Sequence, residues 1–144
     1  MTDDLVVWAE EVARTCLRDL PRRLQHVEGV ARRAATVADA VDDPELLVAA
    51  AWLHDIGYSA ELVTTGFHSV DGAEFLHAEG APHRLCALVA NHSCACVEAR
   101  RRGYRGGPRT PARRMRQGGA AWRRWVAPEL ASLGWSVDPS GRTD

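Results

Sequence analysis

The sequence predicts an all-α bundle of about five helices followed by an irregular Arg/Gly/Pro-rich C-terminal tail, and three observations predict it. Apolar residues recur at intervals of three and four through roughly the first hundred positions, in stretches separated by short breaks. No run of β-branched residues alternates with polar ones, so no strand is expected. From Arg100 the helical period stops: up to Trp125 the only residue drawn from Val, Ile, Leu, Met and Phe is Met115, while five of the 12 glycines fall there with Pro108 and Pro111.

The first helix starts at Asp3, with Val6, Val7, Ala9, Val12, Ala13, Cys16, Leu17 and Leu20 at helical spacing, and Pro21 ends or restarts it. A second runs from about Arg22 to Val41, with Leu24, Val27, Val30, Ala31, Ala34, Val37, Ala38 and Val41 on one face and its buried stripe passing beside His26. Asp42-Asp43-Pro44-Glu45 is a helix start: Asp43 can accept from an orphan backbone N–H, and Pro44 suits the first helical position, where its missing donor costs nothing. The third helix, Glu45 to about Asp55, is apolar nearly all round, which marks it as the central one. Gly57 is placed to end it in a left-handed turn. After a loop from Tyr58 to Gly66, a fourth helix covers about Ser69 to Ala78, and a fifth begins near Pro82 and carries Leu85, Cys86, Leu88, Val89 and later Val97. In the tail, a short helical turn is expected around Pro128 to Leu133, and Trp122, Trp125 and Trp135 are candidates to pack back onto the bundle.

At 144 residues the chain fits one domain, residues 1–99, plus a tail, residues 100–144. With 46% hydrophobic and 26% charged residues, disorder throughout is excluded. The longest apolar run, Leu46 to Leu53, is far short of the roughly 18 to 20 residues that span a bilayer, and the acidic opening Met1-Thr2-Asp3-Asp4 is unlike a signal peptide. A cytoplasmic protein with no membrane partner is expected, so Cys16, Cys86, Cys94 and Cys96 are read as reduced thiols. Cys94-Ala95-Cys96 is a weak candidate for a metal thiolate, and a structural or incidental role is the simpler reading.

Charge is sharply divided. Residues 1–99 carry 7 Arg against 16 acids, a net of −9, and residues 100–144 carry 11 Arg against 3 acids, a net of +8. No lysine occurs, which points to a GC-rich gene. The basic tail, with Tyr104, Trp122 and Trp125 as stacking candidates, raises nonspecific nucleic-acid binding. The acidic bundle can neutralise that charge equally well and no base-reading motif is present, so the sequence argues against it.

The chemistry concentrates in histidines. His26, His54, His68 and His92 fall at element ends or in otherwise apolar helices, whereas His77 and His83 lie in polar stretches and are read as solvent-facing. His54-Asp55 ends the most buried helix, where an unpaired carboxylate would cost several kcal/mol unless it met a cation. Imidazole nitrogen with carboxylate oxygen suits a divalent Mn, Fe, Co or Zn ion. An ion there lowers the pKa of water and polarises a phosphoryl oxygen, the chemistry of a phosphohydrolase. Arg22, one turn before His26, is a candidate for a bidentate contact with a substrate phosphate, the alternative being a solvated surface charge.

The order His26, then His54-Asp55-Ile56-Gly57, then Gly66-Phe67-His68-Ser69-Val70-Asp71-Gly72-Ala73, then Asn91-His92-Ser93 resembles the HD superfamily of metal-dependent phosphohydrolases, in particular its HDIG-bearing members, over roughly residues 20–98. The resemblance implies an all-helical bundle with one or two metal ions between the helices and a nucleotide or other small phosphorylated metabolite as substrate. It implies His26, His54 and Asp55 as the first ligands, Asp55 bridging where two ions are bound, and His68 and His92 as ligands of a second ion. Binuclear members also include iron-dependent oxygenases, and no residue here separates the two chemistries.

The sequence departs from the family pattern at one point. Family members close the first site with a further Asp from a later helix, yet no Asp occurs between Asp71 and Asp138, and Asp138 sits in a poor helical context. Either residues from about 100 are an out-of-frame translation, leaving a truncated hydrolase, or the tail is native and the site has been remodelled, as in a non-catalytic HD-fold binding protein.

Overall fold

The computed structural model describes residues 2–92 together with Arg124. Five α-helices follow in order: α1 (Thr2–Cys16), α2 (Pro21–Val37), α3 (Pro44–Leu53), α4 (His68–Ala78) and α5 (His83–Ala90). Short 3-10 turns lie at Ala38–Ala40, Ile56–Tyr58 and Ala60–Leu62, and no strand occurs among the described residues. The architecture is the all-α bundle that the periodicity predicts. No helix among these residues is long and apolar enough to cross a membrane.

α3 is the axis of the bundle, packed against α1, α2 and α5. Its start is as expected: the Asp43 carboxylate accepts from the Leu46 N–H at 3.1 Å, and Pro44 takes the first helical position. With Leu46, Ala49, Ala51, Trp52 and Leu53 buried and only Pro44 exposed, no face of this helix is left for solvent.

Two helices end earlier than their apolar spacing suggests. α1 stops at Cys16, and a turn closed by Leu20 N–H donating to the Leu17 carbonyl at 2.9 Å carries the chain to Pro21. Leu17 remains fully buried, so the apolar register outlives the helix. α2 stops at Val37, and its stripe runs through Val27, Ala31 and Ala34. Val37 and Val41, expected inside, are exposed: Val37 ends α2 off its buried stripe, and Val41 follows a 3-10 turn whose three residues per turn rotate the chain off the α-helical register.

Gly57 also departs from expectation. Positive φ among the described residues occurs only at Gly66 (77°) and Gly80 (80°), so Gly57 makes no left-handed turn. A Cβ on Gly57 would instead collide with the His68 carbonyl oxygen and stand 2.9 Å from Gly72 N. A Cβ on Gly72 would lie 3.3 Å from Gly57 N. The two glycines let the chain just after α3 lie directly on α4. Gly80 does supply the left-handed cap that ends α4, with Gly80 N–H bonding to His77 O and Ala81 N–H to Leu76 O, both at 3.0 Å.

Cys16 is half-buried and Cys86 buried, both as free thiols. Beyond residue 92, Arg124 donates to Glu74 on α4 at 3.1 Å, one contact of the basic tail with the acidic bundle. Cys94, Cys96, Tyr104, Trp122, Trp125, Trp135, Asp138 and the turn expected at Pro128 to Leu133 lie outside the described residues.

Candidate metal centre

Four helices contribute to one cluster. His26 projects from α2, His54 and Asp55 follow directly on the C-terminus of α3, His68 opens α4, and His92 lies two residues beyond the end of α5. The contact between Gly57 and Gly72 draws the α3 terminus to the start of α4 and so places Asp55 beside His68.

The Asp55 carboxylate is buried, and each of its oxygens faces two imidazoles. Oδ2 stands 3.4 Å from His54 Nε2 and 3.7 Å from His26 Nε2, while Oδ1 stands 3.4 Å from His68 Nε2 and 3.7 Å from His92 Nε2. The imidazole nitrogens approach one another pairwise, His54 to His26 at 3.3 Å and His68 to His92 at 3.1 Å. Two donor sets result, His26–His54–Asp55 and Asp55–His68–His92, sharing one carboxylate.

These donors fit a divalent ion. Atoms held about 2.0 to 2.2 Å from one ion stand roughly 3 to 3.5 Å apart, close to the spacings within each set. Ring orientation agrees. His54 Nδ1 donates to the Ala51 carbonyl and His92 Nδ1 to the Val89 carbonyl, both at 2.7 Å, which leaves the Nε2 lone pairs directed at Asp55. All five metal-ligand candidates named from the sequence are therefore brought together.

Electrostatics reinforce the arrangement. Burial pushes the His54 and His92 imidazoles below their ordinary value, keeping them neutral, the form that binds metal. Burial would by itself raise the Asp55 carboxyl. The hydrogen bond from His68 and the Arg23 guanidinium overcome that and hold it well below the usual carboxylate range.

Arg23 is the residue that sequence reasoning passed over. Its Nη1 lies 2.9 Å from Asp55 Oδ2, and its guanidinium lies over the Tyr58 ring, 4.0 Å from the centroid. Tyr58 in turn stacks on His68 at 4.0 Å with the planes 16° apart. Two groups that close cannot share one face of the ring, so Tyr58 is layered between Arg23 and His68. Arg22 and Arg23 both lie about one turn before His26, and helical spacing alone does not choose between them. Arg22 is exposed and borders, with Asp19, Leu20, Pro21, Arg23 and Tyr58, a cleft of about 420 Å³ beside the cluster.

A second carboxylate supports the site without joining it. Buried Asp71 accepts from Thr64 Oγ1, Thr65 N, Thr65 Oγ1 and Gly66 N at 2.7 to 3.0 Å, fixing the loop that delivers His68. His77 and His83 are exposed and outside the cluster.

Comparison with known proteins agrees with this geometry. No curated protein and no solved structure gives a significant match. The HD domain family matches residues 23–119, a stretch that opens at the arginine on Asp55, includes all five donor residues and continues beyond residue 99. Since that stretch is more than half of the chain, and four of its histidines converge on one buried carboxylate as a metal site requires, the chain belongs to the HD superfamily of metal-dependent phosphohydrolases.

Proposed function

We propose that this chain hydrolyses a phosphate ester of a nucleotide or another small phosphorylated metabolite, using one or two divalent ions (Mn, Fe, Co or Zn) held by His26, His54, Asp55, His68 and His92. The observation that carries the reading is the single buried carboxylate with two imidazole nitrogens at each oxygen. A divalent ion among such donors acidifies water and stabilises negative charge on phosphoryl oxygens. Asp55 supplies the negative charge that retains the cation, and the backbone bonds of His54 and His92 hold their rings in the binding tautomer. Arg22 and Arg23 border the cleft beside Asp55, where a guanidinium can pair with a phosphate dianion, and Tyr58 gives that cleft an aromatic wall.

The test is phosphate release from a panel of nucleoside monophosphates and small sugar phosphates by protein reconstituted with Mn(II) or Co(II), beside Asp55→Asn. Turnover in wild type that falls at least about a thousandfold in the variant is expected. Metal-loaded protein that releases no phosphate from any member of the panel overturns the proposal. It would favour the non-catalytic reading, whose basis is the lack of any Asp between Asp71 and Asp138.

A further inference from the structure

We infer that the two donor sets are unequal: Asp55 Oδ1 with His68 and His92 holds the tightly bound divalent ion, while Arg23 takes the place of a second cation at Asp55 Oδ2 and keeps the His26–His54 set weak. The inference rests on the metal-binding reading above. It reverses the order that the family resemblance implies, in which His26, His54 and Asp55 come first.

Three observations carry it. The first is occupancy of the shared carboxylate. Arg23 Nη1 lies 2.9 Å from Oδ2, closer than any imidazole nitrogen, and among the described residues no arginine pairs with Oδ1. An ion at the His26–His54 set has to share Oδ2 with a fixed positive charge. An ion at the His68–His92 set does not.

The second is burial. The side chains of His68 and His92 are 4% and 13% exposed; in the other set His54 is likewise 13% exposed, but its partner His26 is 51% exposed on the open flank of α2. A solvated imidazole on a helix surface has to be ordered on binding, while a packed one is already placed. Tyr58 extends the contrast: the ring that holds Arg23 on one face holds His68 on the other, so the same stack fixes a ligand of one set and the obstacle in the other.

The third is charge. Asp55 is the only carboxylate in either donor set among the described residues. Two divalent ions beside Arg23 would set formal charges of +2, +2 and +1 against −1, and one ion lessens that imbalance. The family pattern would offset the excess with a further Asp on the first set, but the sequence has no Asp between Asp71 and Asp138. On this reading the lack of that Asp and the presence of Arg23 act in the same direction.

The experiment is equilibrium dialysis of chelator-stripped full-length protein against graded Co(II), with bound metal measured by elemental mass spectrometry and visible absorption recorded at each ratio. Wild type, His26→Ala, His92→Ala, His92→Asn and Arg23→Gln are compared, with folding checked by circular dichroism. His92→Asn keeps a donor at the Nδ1 position for the Val89 carbonyl should the alanine variant fail to fold. Wild type should bind one equivalent tightly. His26→Ala should keep it within about threefold, and loss of His92 should weaken it at least tenfold. Arg23→Gln should take up a second equivalent at concentrations where wild type holds one. Equal weakening by the His26 and His92 substitutions, two equivalents of equal affinity in wild type, or no gain in Arg23→Gln overturns the inference while leaving the metal site standing. No uptake by folded wild type overturns the metal reading itself.

Discussion

A methyl group at Gly57 has nowhere to go, since the His68 carbonyl already occupies its position and Gly72 N stands 2.9 Å away. Gly57→Ala should therefore push α4 from the end of α3, cost about 3 kcal/mol or more, and separate Asp55 from His68. Gly29 is the control: it lies inside α2, exposed, with nothing within 4 Å of the position a methyl group would take. Gly29→Ala should stabilise by about 0.8 to 1 kcal/mol through helix propensity. Urea midpoints of the two variants check both, and a Gly57→Ala protein as stable as wild type would refute the close-approach account. The sequence showed a glycine after His54-Asp55 but not its purpose, because a helix-ending glycine and a contact glycine look alike until the partner helix is in place. The same limit applies to Arg22 and Arg23, which differ by about 100° around α2, too little for spacing to decide which one reaches Asp55.

Each helix is most legible where its own residues supply the boundary. Asp43 caps α3 with a bond made three residues away, so Asp43→Ala should cost about 1 kcal/mol without disturbing the cluster, measurable as a shift in urea midpoint at unchanged metal content. The all-round apolar composition of α3 likewise forecast its central position. The ends of α1 and α2 were less legible because apolar spacing continues through the turns that follow, whether the residue stays buried, as Leu17 does after α1, or is exposed, as Val41 is after α2. The loop before α4 was not legible at all. Asp71 receives four hydrogen bonds from residues five to seven positions upstream, a pattern that exists only once the chain has folded back on itself. Asp71→Ala strands those donors and should cost about 2 to 3 kcal/mol. Since the loop leads into His68, the variant should also lose metal, and retention of wild-type metal content would show that α4 places His68 without the loop.

The whole molecule assembles the cluster from segments far apart in sequence, so the protonation of the site is tied to global folding. His54 and His92 titrate below their ordinary value because folding buries them, while the unfolded chain protonates them near pH 6.5. As pH falls below about 6.5, the unfolded state binds protons that the folded state refuses, and stability of the metal-free protein declines, by at most about 1.4 kcal/mol per pH unit for each group. Asp55 acts in a separate window. Its folded value is depressed, so its contribution is present above about pH 3.9 and is lost only as pH falls from there through the folded value. Urea unfolding of chelator-treated protein between pH 7.5 and 5 therefore isolates the histidines. Wild type should lose stability across that range, and a His54→Gln, His92→Gln double variant should lose much less. Equal slopes in the two proteins would mean that acid sensitivity originates outside the cluster. A smaller slope in the variant would show that the neutral imidazoles needed for a divalent ion are maintained at a measurable cost in stability, one that grows as the solution becomes more acidic.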